Sequence, residues 1–137
     1  MQTGNKERVI AVLDAFCRKD LDVAADYFAE DATLTNNTVT VVHRGRPAIR
    51  AHLERWHTMF SDAAAHSIEL LEAGNTIVGI FYGEGTNTGP IGDKPATGKR
   101  YSIRYCEIYH FGPDGKIVAN EAFFDQLTML RQLGLAT

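Results

Sequence analysis

The feature that most constrains this chain is a change of hydrophobic period near its middle. Up to Asp62 the apolar residues recur at helical spacing, and beyond it they alternate. Val9, Val12, Leu13 and Phe16 share one face of a first helix, with Cys17 beside them and Lys19-Asp20 closing it. A second, shorter helix is expected from Asp22 to Ala29, with Ala25, Tyr27 and Phe28 as its apolar members. Ala32 to Thr35 reads as a short strand, and Asn36 to Arg46 as strand or loop. Pro47 stands where helices favour proline, at their first turn. The stripe Ile49, Leu53, Trp56, Phe60 follows it, with Arg50, Glu54 and Arg55 toward water.

Ser67 to Ala73 and Thr76 to Gly85 then read as strands joined by a tight turn at Gly74-Asn75. Thr88 to Pro95 is a loop by its glycines and prolines. Arg100 to Phe111 is the longest strand, Gly112-Pro113-Asp114-Gly115 turns the chain, and Lys116 to Phe124 pairs back. A last helix is expected over Asp125 to Leu133, stopped by Gly134. Helices first and hairpins afterwards make an α+β fold, with helices packed on one face of an antiparallel sheet. A curled sheet capped by helices leaves a concave pocket.

A length of 137 residues fits one domain, residues 1–137. The formal net charge of −3 and the absence of a basic stripe argue against nucleic acid as a partner. Two cysteines, Cys17 and Cys106, are too few for a disulfide framework and read as small buried hydrophobes. No run is long enough to span a bilayer and the first residues carry no apolar signal region, so the expected location is the cytoplasm. His43, His52, His57, His66 and His110 show no metal-binding spacing, and no metal or other cofactor is expected.

Three motifs in order carry a family resemblance. Tyr27-Phe28-Ala29-Glu30-Asp31-Ala32 resembles the segment that enters the first strand of nuclear-transport-factor-2-like folds. Gly85-Thr86-Asn87-Thr88-Gly89-Pro90, with Pro95-Ala96-Thr97-Gly98-Lys99, is similar to a pattern of the SnoaL-like polyketide cyclases. Asp114-Gly115-Lys116-Ile117, then Phe124-Asp125, then Met129-Leu130-Arg131-Gln132-Leu133-Gly134, resembles the ending of the same family. The resemblance covers nearly the whole chain. It implies an αβ cone with a curved sheet wrapped around the N-terminal helices and an internal pocket. It also implies a homodimer joined through the outer sheet face, and intramolecular aldol ring closure without a cofactor.

Strand parity selects the pocket residues. Tyr101, Ile103, Tyr105, Glu107, Tyr109 and Phe111 form the apolar, inward face of the long strand, which places the Glu107 carboxyl among aromatic rings. On the following strand Ile117, Ala119, Glu121, Phe123 and Asp125 share a face, so Glu107, Glu121 and Asp125 are expected to point the same way. By resemblance Asp125 takes the place of the cyclases' acid/base aspartate; by residue type alone it reads as the N-cap of the last helix. The strand around Glu107 resembles the one on which ketosteroid isomerases carry an oxyanion-stabilising aspartate. A neutral Glu107 would donate to an enolate oxygen; the alternative is a structural pair with Arg104, Arg50 or a tyrosine.

Glu121 is either a specificity element or a solvated rim residue. Asn36 and Asn37 end the first strand, and one of them, Asn36 in the first place, is either a ligand-orienting amide or, like the other, a turn residue. Trp56, Tyr105, Tyr109 and Phe123 complete the expected wall against a small apolar ligand, although tyrosines and tryptophan serve equally as core. Two function classes follow: a cofactor-free cyclase or isomerase using Asp125 and Glu107 on a small carbonyl compound, or a non-catalytic small-molecule-binding protein of the same fold.

Overall fold

The computed structural model describes residues 4–137. Its order is α1 (Asn5–Cys17), α2 (Leu21–Asp26), β1 (Phe28–Asn36), β2 (His43–Arg44), α3 (Arg46–Met59), β3 (Ala64–Ala73), β4 (Thr76–Thr86), β5 (Arg100–Phe111), β6 (Ile117–Phe124) and α4 (Gln126–Gln132). One six-stranded sheet runs β2-β1-β6-β5-β4-β3. From β3 to β6 it is the expected antiparallel meander, while β1 lies parallel to β6. The chain is α+β, with α1 packed on β3 and β4 and α3 on β1, inside the curve of the sheet.

The second helix is shorter than its sequence suggests. α2 stops at Asp26, and Phe28 begins a strand in register with Ile117. Both side chains are buried, and the Ile117 N–H donates to the Tyr27 carbonyl at 2.8 Å, so pairing in the sheet overrides helical spacing. β1 also runs on through Asn36, and β2 is only two residues long.

On β5 the alternation is regular, and Tyr101, Ile103, Tyr105, Tyr109 and Phe111 are buried. On β6 it is not. His110 pairs with Ala119 but Phe111 pairs with Ile117, so Val118 is an extra residue. This bulge reverses the facing of everything after it. Asn120, Ala122 and Phe124 sit opposite Tyr109, Glu107 and Tyr105 on the inner face, whereas Glu121 and Phe123 sit opposite Ile108 and Cys106 on the outer one. The expected common face of Ile117, Ala119, Glu121, Phe123 and Asp125 is therefore corrected. A second register shift, between His66 and Glu69, bends β3, with Ser67 at φ 57°.

The loop after β4 is fastened by one fully buried side chain. The Asn87 amide nitrogen donates to the carbonyls of Gly89 at 2.8 Å and Met59 at 3.3 Å, and its oxygen accepts from the Thr97 N–H at 2.8 Å. Every polar valence is used inside the protein, so this part of the family-like motif shapes the end of α3 and the loop. Cys17 and Cys106 are free thiols. No described helix is long and apolar enough to cross a membrane.

Candidate functional site

The concave face of the sheet and the helices enclose a cavity of about 110 Å³, room for several waters or a small organic molecule. Small residues open it: Glu107 lies between Gly79 on β4 and Ala122 on β6. A methyl group at Gly83 would lie 2.7 Å from Cδ1 of Tyr105, so glycine there lets that ring lie flat against β4. The Tyr105 ring stacks on Phe81 at 5.5 Å and meets Phe124 at 4.8 Å, and Trp56 closes on Phe124 at 6.1 Å. Of the wall residues expected from sequence, Asn36, Trp56, Tyr105, Tyr109 and Glu107 all line this cavity.

Glu107 is its central polar group. Tyr109 Oη donates to Glu107 Oε1 at 2.8 Å, and Asn120 Nδ2 donates to the same oxygen at 3.4 Å and to the Ile108 carbonyl at 3.2 Å. Among the described residues Oε2 has no hydrogen-bond partner and the carboxyl has no ion pair. Arg50 is engaged by Asp22 and Glu54, and Arg104 lies over the Tyr82 ring, so neither arginine supplies the structural pair considered from sequence; the tyrosine does. The side chain is partly buried and lines the cavity. Burial raises its pKa above the usual glutamate value, against the smaller opposing effects of the Tyr109 and Asn120 hydrogen bonds. With both donors on Oε1, the neutral acid carries its proton on Oε2. Tyr109 is itself pushed well above the usual tyrosine value, by burial first and by Glu107 next, so its hydroxyl remains a donor.

Asp125 is elsewhere. Its carboxylate caps α4, accepting from the Thr128 N–H at 3.1 Å and the Thr128 hydroxyl at 2.7 Å. It is solvent-exposed and absent from the cavity lining, and the Thr128 hydroxyl, then the Thr128 N–H, lower its pKa. The expectation of a pocket acid at this position is corrected: the bulge at Val118 turns the end of β6 so that Phe124, not Asp125 or Phe123, reaches inward. Glu121 is likewise on the outer face, where its Oε2 lies 2.9 Å from His110 Nε2. Phe123 is 42% exposed.

Among the polar cavity residues Asn120, His52 and Glu84 were not expected, and Glu84 is paired with Arg100 at 3.1 Å. Asn120 follows from the bulge, which sequence does not announce. His52 had a visible signal: it stands three residues after Ile49 and four before Trp56, within the apolar stripe of α3. Its ring stacks on His43 of β2 at 4.4 Å and stands 6.3 Å from Trp56. Burial first, then His43 and Arg55, lower its pKa from 6.5 to about 4, so it is neutral at physiological pH. Asn36 accepts from the Thr38 N–H at 2.9 Å, as a turn residue does, while also lining the cavity. No group of three or more His, Cys, Asp or Glu among the described residues is placed to hold a metal ion.

The comparisons agree with this fold. A family model described as SnoaL-like polyketide cyclase matches residues 7–133. Among solved structures, a candidate polyketide cyclase from Pseudomonas putida KT2440 is 17% identical, with a TM-score of 0.89 over 96% of this chain and 99% of that one. A phenazine biosynthesis-related protein from Pseudomonas aeruginosa is 22% identical, with a TM-score of 0.83 over 97% and 82%. A protein of ketosteroid isomerase-like fold from Catenulispora acidiphila, in complex with trimethylamine, is 17% identical, with a TM-score of 0.83 over 94% and 93%. At these identities the structures establish a shared fold. No curated protein matches the chain.

Proposed function

The chain belongs to the SnoaL-like polyketide cyclase family, and from that premise we propose that it is a cyclase- or isomerase-type enzyme whose acid/base group is Glu107. The observation that carries the reading is the enclosed Glu107 carboxyl, held by Tyr109 and Asn120 on one oxygen and open to the cavity on the other. A carboxyl whose pKa is raised by burial exchanges its proton nearer to neutrality than an exposed one, which suits it to general acid–base work.

The ionised form takes a proton from the carbon next to a ligand carbonyl onto Oε2, and the C–H electron pair moves into the enolate. Tyr109 and Asn120 hold Oε1 throughout, so the carboxyl does not rotate away. The enolate then has two fates. It takes the proton back from Oε2 at another carbon, which is isomerisation. Alternatively it attacks a second carbonyl of the same molecule, forming a C–C bond while the new alkoxide takes the Oε2 proton, which is aldol ring closure. Both are balanced with no electron acceptor and no cofactor.

The aromatic wall of Trp56, Phe81, Tyr105 and Phe124 suits a small, mainly apolar ligand. A binding-only reading draws on the bond between Tyr101 Oη and Tyr105 Oη at 3.1 Å, which occupies two cavity hydroxyls with each other. Hydrogen–deuterium exchange at the carbons next to the carbonyl of cyclohexanone separates the two. Glu107→Gln should slow the protein-dependent exchange by about 10²–10⁴-fold. Equal exchange in both proteins removes Glu107 as the base and leaves the binding reading.

For assembly we propose a two-fold homodimer through the outer sheet face, which exposes Tyr82, Val118 and Phe123 beside Arg104 and Cys106. A light-scattering mass of one chain at micromolar concentration would contradict it.

A further inference from the structure

The cavity contains a second group that the acid/base chemistry of Glu107 leaves unused. His52 lines it from α3, and among the described residues neither of its ring nitrogens has a hydrogen-bond partner in the protein. His57, His66 and His110 differ: one ring nitrogen of His57 bonds the Phe16 carbonyl at 2.7 Å, one of His66 bonds the Ser67 hydroxyl at 2.9 Å, and one of His110 bonds Glu121 at 2.9 Å, while His43, which shares the lack of a partner, is not in the cavity lining. A neutral imidazole always presents one N–H and one lone pair. Left unpaired beside an apolar cavity, that N–H is a donor awaiting an acceptor.

The surroundings keep it neutral. His43 lies across one face of the ring at 4.4 Å, so a charge on either imidazole disfavours a charge on the other. Trp56 is the neighbour one helical turn further along α3. Arg55, exposed on α3, adds a further positive charge, and no carboxylate offsets these among the influences on the ring. Among the described residues no lysine or arginine lines the cavity either, so none of them neutralises an anionic ligand there. A donor that stays uncharged can polarise a carbonyl oxygen without surrendering its proton to a carboxylate across the site.

We propose that His52 is the carbonyl-polarising residue of this cavity and that the ligand it recognises is an uncharged ketone or ester rather than a carboxylate. This rests on the reading of the cavity as a carbonyl-binding site. His52 holds the oxygen, Glu107 exchanges the proton on the adjacent carbon, and negative charge that develops on oxygen in the enolate strengthens the hydrogen bond from the imidazole. Neither residue is a redox group, and the His52 N–H bond is retained throughout.

The test uses the whole chain with cyclohexanone labelled with ¹³C at its carbonyl. Carbonyl stretching frequency and ¹³C shift report polarisation of the bound ketone, and exchange next to the carbonyl reports the chemistry. The wild type should bind the ketone with its carbonyl band moved to lower frequency. His52→Phe should abolish that displacement and slow exchange by about 10²–10³-fold, the usual effect of removing one donor to a developing oxyanion. His52→Gln, which keeps a donor amide, should restore part of both. Glu107→Gln should abolish exchange but leave the carbonyl band displaced. The ring ¹⁵N signals of His52 in the unaltered protein should shift when the ketone is added, a readout that needs no variant.

Identical carbonyl bands in wild type and His52→Phe, unmoved His52 ¹⁵N signals, or tighter binding of cyclohexanecarboxylate than of cyclohexanone would each overturn the proposal. So would failure of the wild type to bind the ketone at tens of millimolar. Undiminished exchange in Glu107→Gln with a His52-dependent band would instead remove Glu107 as the base while leaving the role of His52 standing.

Discussion

Acidification should destabilise this protein through His52 by an amount that follows from its surroundings. The ring titrates at 6.5 when exposed and at about 4 in the folded chain, because burial and the neighbouring His43 and Arg55 disfavour its charged form. Above pH 6.5 neither folded nor unfolded chain carries a proton on it, and it contributes no pH dependence. Below 6.5 the unfolded chain takes up a proton that the folded chain refuses, so stability falls until the folded ring protonates near pH 4. The interval is 6.5 − 4 = 2.5 pH units, which at about 1.4 kcal/mol per unit amounts to about 3 kcal/mol. His43 and His57 are also depressed, chiefly by burial, and add in the same direction. Glu107 opposes them: its raised pKa gives stability that is complete below the unfolded value of 4.5 and is lost as pH rises through the folded one. Comparing wild type with His52→Gln cancels these shared effects. Urea unfolding at pH 7 and pH 4 should show the variant losing about 3 kcal/mol less than wild type. Equal losses would mean that His52 is solvated and freely protonated, and would refute its placement beside the cavity.

The same contacts lead to other expected outcomes. Asn87→Leu strands the carbonyl of Gly89 and the N–H of Thr97, while the Met59 carbonyl keeps the N–H of Thr88, and chemical denaturation should show a loss of about 2–4 kcal/mol, with Asn87→Ala similar. Asp125→Asn should change neither turnover nor melting temperature appreciably, and Asp125→Ala should lower the melting temperature while leaving turnover intact; a large loss of turnover in the asparagine variant would return Asp125 to the chemistry. Gly83→Ala should push the Tyr105 ring into the cavity, costing about 1–3 kcal/mol in stability and weakening ketone binding in calorimetry.

How far the sequence discloses this site depends on the length and regularity of each element. Along Arg100 to Phe111, Tyr101, Ile103, Tyr105, Tyr109 and Phe111 recur at alternate positions on one buried face, and Glu107 is on that face. β6 has no such guarantee. Ile-Val-Ala-Asn-Glu-Ala-Phe-Phe alternates poorly, and a single extra residue at Val118 exchanges its faces. Asn120 enters the cavity and Glu121, Phe123 and Asp125 leave it for that one reason. A bulge is fixed by pairing with β5 and by closure of the sheet, and neither is written locally in the strand. The parallel seating of β1 on β6 is hidden for the same reason, since it joins segments some ninety residues apart, such as Phe28 and Ile117. His52 is the opposite case: its helix register is legible, but a histidine among Ile49, Leu53 and Trp56 reads as core until the cavity beside it is seen.

Titration of the Glu107 side-chain carboxyl, followed by ¹³C NMR with Glu107→Gln to assign the signal, bears most directly on its role as the acid/base group. The carboxyl should titrate above the ordinary glutamate range, because burial outweighs the Tyr109 and Asn120 hydrogen bonds, and Tyr109→Phe should raise its pKa further by removing a donor to the ionised form. A carboxyl that titrates at the ordinary glutamate value, unmoved by Tyr109→Phe, would contradict both its enclosure and its use as the proton carrier of this cavity.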